Sequence, residues 1–197
     1  EKLYTIDLIC HGSPSPMLLE RFLNEKGYNI KQIGNIEFRS KTNFALKGKR
    51  IRLEPVGVQD LYTYAFLTCM DYTDNCYRCK YARLERVSDI SIGDSWGSDI
   101  KEEEKKGISL VLCQTEKGMD LLKKILGEMT YKEGNIEELL PNTADSRKSV
   151  SPHPNRNAFF AALDAGENCD ELLKFVKPKV SIFGKVKRKL KTIVRMN

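Results

Sequence analysis

Three cysteines have the residue type and the spacing to do chemistry in this chain. Cys76 and Cys79 form a C-x-x-C pair, a spacing that lets two thiolates on one tight turn bind a single metal centre. Cys10 ends an apolar run and is followed by His11 and Gly12, in a turn where a side chain can face a site. The pattern therefore predicts a metal site that Cys10, Cys76 and Cys79 share.

The residues around the C-x-x-C pair do not select one metal. Zinc and an iron-sulfur cluster both accept four thiolates, and the cations Arg78, Lys80 and Arg83 favour the negative charge of either centre. A structural zinc knuckle and a pair of buried thiols are the plainer interpretations of the same pair. The charged neighbours favour a turn near the surface, and hence a metal site.

One further cysteine is a candidate for the fourth ligand. Cys69 lies seven residues before Cys76. Cys113 lies in an apolar run and Cys169 beside helix-forming residues, so both are predicted to be core or surface thiols. In a chain of 197 residues with no secretory leader, six cysteines favour metal binding or reduced thiols over disulfides.

A glycine-bounded stretch from Gly93 to Gly97 has the composition of a phosphate-binding loop. Glycines let backbone N–H groups approach a phosphate closely, as in the binding of flavin and nucleotide pyrophosphates. The nearby acids Asp89 and Asp94 suit either acid–base chemistry or turn and capping roles. No Ser-His-Asp set, P-loop or G-x-G-x-x-G can be assembled, so hydrolase and kinase interpretations have no support and no catalytic residue is assigned.

The elements that carry these residues alternate between strands and helices. Leu3 to Ile9 is predicted to be a strand, and Ser15-Pro16 opens a helix that stops at Gly27. Ile33 to Arg39 and Phe44 to Leu53 are two further predicted strands. The predicted fold is therefore α/β (α+β), a mixed β-sheet with flanking helices and a basic C-terminal helix.

The later segments continue this alternation. A predicted helix from Val58 to Cys69 leads toward the C-x-x-C turn, and Ile108 to Cys113 is the clearest strand in the chain. A helix that begins at Lys117 is followed by a short predicted strand from Thr130 to Lys132. Small helices are predicted over Glu137 to Leu140, Asn157 to Leu163 and Cys169 to Val176.

Composition and charge describe a globular protein with a basic end. Hydrophobic residues make up 41% and charged residues 30%, and no window approaches the roughly 18 apolar residues of a membrane span, which predicts a cytoplasmic protein. The net charge is +6, and eight Lys and Arg with no acid follow Val176. Residues 1–176 are predicted to form one domain. Residues 177–197 are predicted to form an amphipathic tail that rests on it or contacts an anionic membrane surface, with no nucleic acid favoured.

Four motifs in a fixed order resemble one known family. They are DLICHGSPSP from Asp7, NCYRCKYA from Asn75, SDISIGDSWG from Ser88 and KGISLV from Lys106. In this order they resemble the C-terminal domain of the coenzyme F420 hydrogenase/dehydrogenase beta-subunit family, in the bacterial branch associated with surface polysaccharide genes. The resemblance covers residues 3–176.

The resemblance implies part of an iron-sulfur flavoprotein oxidoreductase with a [4Fe-4S] cluster and FAD. Cys10, Cys76 and Cys79 would be cluster ligands. A further ligand would come from a Gly-Thr-Pro-Cys-Gln stretch upstream of Glu1, ranked above Cys69, because the chain is expected to lack the start of a longer protein. FAD would lie between an upstream domain and this one. The implied cofactor-binding residues are His11, Gly12, Asp89, Gly93, Asp94 and Gly97.

The resemblance leaves the electron partner open. A donor or acceptor protein or a reduced coenzyme fits equally, and use of the deazaflavin coenzyme is not decided. The alternative hypothesis is a non-enzymatic, zinc-stabilised interaction module whose tail docks on a partner or a membrane surface. Bound iron and flavin favour the first hypothesis, and stoichiometric zinc favours the second.

Overall fold

Short strands and helices alternate along the chain, as the sequence predicts. The computed structural model describes residues 3–40, 43–48, 51–52, 60–95, 107–136 and 148–176. In chain order, these residues form β1 (Ile6–Leu8), α1 (Pro16–Glu25), a 3-10 turn (Ile30–Gln32), β2 (Glu37–Ser40), β3 (Asn43–Gly48), β4 (Ile51–Arg52), α2 (Leu61–Leu67), α3 (Asp74–Tyr77), β5 (Ile90–Asp94), β6 (Ser109–Cys113), α4 (Glu116–Lys123), a second 3-10 turn (Leu126–Glu128), α5 (Arg156–Asp164) and α6 (Cys169–Val176).

A mixed three-stranded sheet places the ends of two strands side by side. β1 pairs in parallel with β5, and β5 pairs in antiparallel fashion with β6, so the strand order is β1-β5-β6. The register joins Leu8 to Ile92 and Asp94 to Ser109. Because parallel strands run in the same direction, the residues that follow β1 and those that end β5 lie at one edge of the sheet, where chemistry-bearing loops commonly lie. The predicted mixed α/β fold is confirmed.

A second, antiparallel sheet has the strand order β2-β3-β4. The prediction of one continuous strand from Phe44 to Leu53 was wrong, because the chain turns back after Gly48 and Ile51 pairs with it. Glycine interrupts a strand readily, since it has no side chain to pack on either face. Asp60 joins this sheet to α2: its buried carboxylate accepts hydrogen bonds from the N–H of Leu46 at 3.0 Å and from the N–H of Thr63 at 2.8 Å.

Helices supply most of the hydrophobic core. α1, α2, α5 and α6 pack together against β3, and burial of each large apolar side chain stabilises the fold by about 1.5–3 kcal/mol. The cluster is made of Leu18, Phe22, Leu23, Leu46, Leu61, Tyr62, Ala65, Met70, Phe159, Leu163, Cys169, Leu172 and Val176. This helical body therefore holds the loop between α2 and β5 in place beside the mixed sheet.

Some predicted elements differ from those observed. β5 continues through Gly93 and Asp94, where the sequence predicts a loop, because both residues pair with β6. Residues Thr130 to Lys132 are exposed and belong to neither sheet of the described residues. The short helix α3 was not predicted, since a single turn of four residues has no hydrophobic period to detect.

Several predictions fall outside the described part of the chain. These are Gly97, the helix from Glu137 to Leu140, the first residues of the predicted helix at Val58, and the basic tail from residue 177 onward. Within the described ranges, no helix has both the length and the apolar content that crossing a bilayer requires.

Candidate cofactor site

The three cysteines singled out by the sequence line one cavity. Cys10, Cys76 and Cys79 meet around a space of about 410 Å³, together with His11 and Gly12. Cys10 is exposed, and the other two thiols are half-buried. The six cysteines, all within the described ranges, form no disulfide. The cavity is therefore open to the surface, and three cysteines line it.

Cys10 is positioned by the end of β1. The N–H of Ile9 donates to the carbonyl of Ile92 at 2.7 Å, which continues the pairing with β5, and the chain then leaves the sheet. Gly12 passes so close to Tyr72 that an added Cβ would lie 2.1 Å from the ring. A larger residue there would push the ring or the backbone aside, so this glycine is required by packing.

Cys76 and Cys79 lie on and just after α3. The N–H of Cys76 donates to the carbonyl of Thr73 at 2.9 Å, and the N–H of Cys79 donates to the carbonyl of Cys76 at 3.3 Å. These bonds wind the C-x-x-C segment into a single turn. Both cysteines therefore line the same cavity from one compact turn.

Backbone contacts tie the Cys10 loop to the C-x-x-C turn. The N–H of Ser13 donates to the Sγ of Cys76 at 3.3 Å, and the N–H of Thr73 donates to the carbonyl of Ser13 at 3.1 Å. Pro14 and Tyr72 form an antiparallel bridge beside them. The two segments thus behave as one paired ribbon, although more than fifty residues separate them in the chain.

The donor set is three cysteine thiols around one open cavity. No group of three His, Cys, Asp or Glu side chains within the described ranges converges closely enough to hold one metal ion. In a [4Fe-4S] cluster each cysteine binds through a different iron, so its ligands line a cavity and do not meet at a point. Three cysteine thiols around an open cavity, one of them accepting a backbone N–H, match that requirement.

Cys69 does not line this cavity. It ends the segment after α2 in a left-handed conformation, with φ of 57°, and its carbonyl accepts a hydrogen bond from the Tyr77 hydroxyl at 2.7 Å. Cys113 is half-buried at the end of β6. Cys169 lies in the core, where burial raises its thiol pKa to about 12. The structure therefore groups three of the four proposed ligands and leaves Cys69 apart.

A second, larger cavity of about 700 Å³ adjoins the first. His11, Gly12, Gly93 and Asp94, four of the residues implied to bind a cofactor, line it together. Gly93 lies against Ile9, where an added Cβ would approach the Ile9 Cβ to 2.8 Å. The volume falls within the range of about 300–1,000 Å³ typical of small-molecule sites.

Aromatic rings and an ion pair complete the wall of the second cavity. Phe38 and Phe66 line it in an edge-to-face contact, with ring centroids 4.8 Å apart, and His11 packs on Phe66 at 5.0 Å. Arg39 reaches across from β2 and donates to the Asp94 carboxylate at 2.5 Å. Sequence reasoning missed Phe38, Arg39 and Phe66 because they come from the second sheet and α2, and no motif links them to the cysteines.

Asp89 lies outside both cavities. Its carboxylate accepts hydrogen bonds from the N–H of Thr5 at 2.8 Å and the hydroxyl of Thr115 at 2.8 Å, and it pairs with Lys117 at 3.2 Å. These donors, led by the Thr5 backbone, lower the pKa of Asp89 to about 2. The carboxylate thus links the start of β5 to the segment before β1 and to α4. These contacts make Asp89 a structural cross-link between segments that are far apart in the chain.

The two cavities share a wall. Leu8, Cys10, His11 and Gly12 contribute to both, so the end of β1 separates the sulfur-lined space from the aromatic one. Gln114 holds the opposite rim of the first cavity: its side chain donates to the carbonyl of Leu84 at 2.8 Å and accepts from the N–H of Arg86 at 3.3 Å. Two potential cofactor sites therefore lie on either side of the segment from Leu8 to Gly12.

The fold is a mixed α/β domain. Near one edge of its sheet, cysteine thiols line one cavity, and a cavity of small-molecule size adjoins it. The chain belongs to the family described as the C terminus of the coenzyme F420 hydrogenase/dehydrogenase beta subunit, and the model of that family matches residues 1–138. The resemblance seen in the four motifs is thereby confirmed. Neither the curated proteins nor the solved structures contain a match to the chain. Helices α5 and α6 lie beyond the matched residues, yet both contribute to the core.

Proposed function

We propose that this chain is the C-terminal part of an iron-sulfur flavoprotein oxidoreductase that passes electrons between a [4Fe-4S] cluster and FAD. The family supports an oxidoreductase. The wall shared by the two cavities supports a cluster next to a flavin. Cys10 lines the first cavity with Cys76 and Cys79, and the segment from Leu8 to Gly12 also lines the second cavity. When bound, a cluster supplies single-electron transfer and a flavin couples it to two-electron chemistry.

In this proposal the residues of the chain bind, separate and shield the two groups. Cys10, Cys76 and Cys79 hold the cluster, and a further ligand from the full-length protein completes it. The Ser13 N–H directed at Cys76 Sγ stabilises negative charge on that sulfur, which favours the reduced form. His11, Gly12, Gly93 and Asp94 form one side of the flavin site, with the rings of Phe38 and Phe66 as its apolar surface.

The rim of the first cavity supports a place for an electron partner. Leu8, Tyr81 and Val87 line it while 63%, 48% and 81% exposed, and the exposed cation Lys148 lies beside them, whereas Arg86 is nearly buried and paired with Asp7. Electron-transfer contacts are small, with an apolar centre and charged surroundings that steer the approach. A donor or acceptor protein, or a reduced coenzyme, would approach at this mouth. Its identity is left to experiment.

A zinc-stabilised module is the competing proposal. Structural zinc needs four ligands that converge on one ion at about 2.0–2.3 Å. The absence of three converging ligands among the described residues counts against it, and so does the second cavity, for which such a module has no use.

Metal and flavin analysis of the full-length protein, purified without oxygen, separates the two proposals. We expect a brown protein with about four iron atoms and four sulfides per chain and bound flavin. A colourless protein with one zinc and no iron would overturn the redox proposal. Replacement of Cys10, Cys76 and Cys79 one at a time then tests whether this cavity holds the metal.

A further inference from the structure

We infer that Arg156 positions the cluster-binding turn and supplies its fixed positive charge. Arg156 is the first residue of α5, beyond the segment that matches the family, and no motif marks it. The inference rests on the proposed function, because it concerns the same three cysteines. Arg156 lines neither of the two cavities and is not one of the proposed metal ligands.

The Arg156 guanidinium forms hydrogen bonds with the C-x-x-C turn on both sides of Cys76. Arg156 donates to the carbonyl of Tyr72 at 2.9 Å, to the hydroxyl of Tyr77 at 3.0 Å and to the carboxylate of Asp74 at 3.2 Å. Its charged group also lies over the Tyr77 ring, 5.1 Å from the centroid. Three contacts to a segment of six residues fix the orientation of α3, and with it the thiol of Cys76.

The contact extends to the neighbouring layers. The Tyr77 hydroxyl that receives the Arg156 bond donates in turn to the carbonyl of Cys69 at 2.7 Å. Behind it, the guanidinium stacks on Phe160 at 4.5 Å. The side chain of Arg156 is only 20% exposed, so its charge is little screened by water. The helical core and the metal-binding turn are therefore joined through this one residue.

Helix stability does not explain an arginine at this position. The N-terminus of a helix carries partial positive charge, and a cation in the first turn is unfavourable by about 0.3–1 kcal/mol. The surrounding carbonyl, hydroxyl and carboxylate oxygens offset that repulsion. They all belong to the segment around Cys76, so the role of Arg156 lies in that segment and not in α5.

A fixed cation bound to the turn that carries a cluster ligand would have a measurable electrostatic effect, reduced in part by its ion pair with Asp74. Reduction adds negative charge, so a nearby guanidinium stabilises the reduced form and raises the reduction potential. Arg156→Gln removes the charge and retains a hydrogen-bonding group. Arg156→Lys keeps the charge and loses the planar fork that reaches three acceptors at once.

Arg21 offers a matched control in the same core. It joins α1 to the end of α5 and the segment that follows, donating to the carbonyls of Leu163 at 2.6 Å and Glu167 at 2.5 Å, and it lies outside both cavities. Arg21→Gln therefore costs a comparable set of hydrogen bonds without touching α3. A change seen in both Arg21→Gln and Arg156→Gln is therefore attributed to a loss of overall stability and not to the cysteine turn.

The test is made on the full-length protein with its cluster. We expect Arg156→Gln to lower the equilibrium constant for one-electron reduction about threefold, which is about 28 mV at 59 mV per tenfold. Arg156→Lys and Arg156→Gln should both lose the cluster to a chelator roughly tenfold faster than wild type, as loss of a supporting residue does at other metal sites. Arg21→Gln should show neither change.

Each result bears on one claim. An unchanged potential in Arg156→Gln overturns the electrostatic role, and chelation of Arg156→Lys at the wild-type rate overturns the positioning role. If Arg156→Gln does not fold, Arg156→Lys still decides the positioning role. For the charge, the potential of Arg156→Met, which is uncharged and keeps the packing on Phe160, is then compared with that of Arg156→Lys, and equal potentials overturn the electrostatic role. Wild-type protein without iron sinks the proposed function itself, and the inference with it, before any variant is compared.

Discussion

The backbone N–H of Ser13 donates a hydrogen bond to the Sγ of Cys76 at 3.3 Å, across 63 positions of sequence. The bond joins the loop that carries Cys10 to the turn that carries Cys76 and Cys79. Thr73 adds a second bond to the same loop through the carbonyl of Ser13. Together the two bonds fix the position of the Cys10 loop relative to the turn that carries Cys76 and Cys79, which preorganises the three cysteines.

Cysteine replacement should separate ligands from bystanders. Cys10→Ala, Cys76→Ala and Cys79→Ala are each expected to reduce bound iron to background, because a cubane that loses one thiolate is labile. Cys69→Ala and Cys113→Ala should retain wild-type iron, since neither thiol lines the cavity. Iron and sulfide analysis of the five purified variants checks this. Loss of iron from Cys69→Ala alone would return Cys69 to the ligand set.

Gly12→Ala should damage the wall between the two cavities. An added Cβ would lie 2.1 Å from the Tyr72 ring, so the ring or the loop must shift, at a cost of about 1–3 kcal/mol in the free energy of unfolding. Urea unfolding measures that loss. Gly34→Ala is the control, because nothing lies within 4 Å of the Cβ it would add. Equal stability of both variants would show that Tyr72 moves freely.

Gly93→Ala should weaken flavin binding. The added methyl group would press on Ile9 in the wall of the second cavity, and we expect roughly a tenfold loss of flavin affinity, about 1.4 kcal/mol. Fluorescence titration of flavin into flavin-free full-length protein measures it. Gly127→Ala, at a position with open space around it, should leave the affinity unchanged. Unaltered affinity in Gly93→Ala would place the flavin elsewhere.

Asp89 should contribute to stability in a defined pH window. Its pKa falls from 3.8 to about 2, chiefly because the Thr5 N–H donates to the ionised carboxylate. A lowered folded-state pKa gives stability that is fully present above about pH 4 and is lost as the pH falls toward 2. Asp89→Asn should therefore be less stable than wild type at neutral pH, with the gap closing between pH 4 and 2. Asp120→Asn, an exposed acid on α4, should change little.

Asp71 should show the opposite behaviour. The side chain is fully buried, and burial raises its pKa from 3.8 to about 7. The folded state then holds a proton that the unfolded chain releases, so stability should fall as the pH rises from about 4 to 7. The change is on the order of 3 kcal/mol. In Asp71→Asn this decline should disappear, as unfolding curves across that range would reveal.

Local chemistry in the sequence was enough to identify several elements. Pro16 after Ser15 marks the first residue of α1, and the predicted bounds of α6 are those observed. Apolar runs with clear stops were identified in the same way, as for β6. The predictions failed where pairing with a neighbouring strand decides the structure. Gly93 and Asp94 belong to a strand because β6 lies alongside them, and residues 130–132 belong to neither sheet in the described part of the chain.

The sequence by itself determined the cysteine ligand candidates and the family, because thiol spacing and motif order are properties of the chain. Only the tertiary structure decided that Cys10 joins Cys76 and Cys79 while Cys69 does not, and that Asp89 lies outside the second cavity, which Gly93 and Asp94 line. The physical reason is that parallel pairing of β1 with β5, and the backbone bonds of Ser13 to the Cys76 turn, depend on contacts between residues far apart in sequence. Arg156 became visible for the same reason, since its partners lie about eighty residues away in the chain.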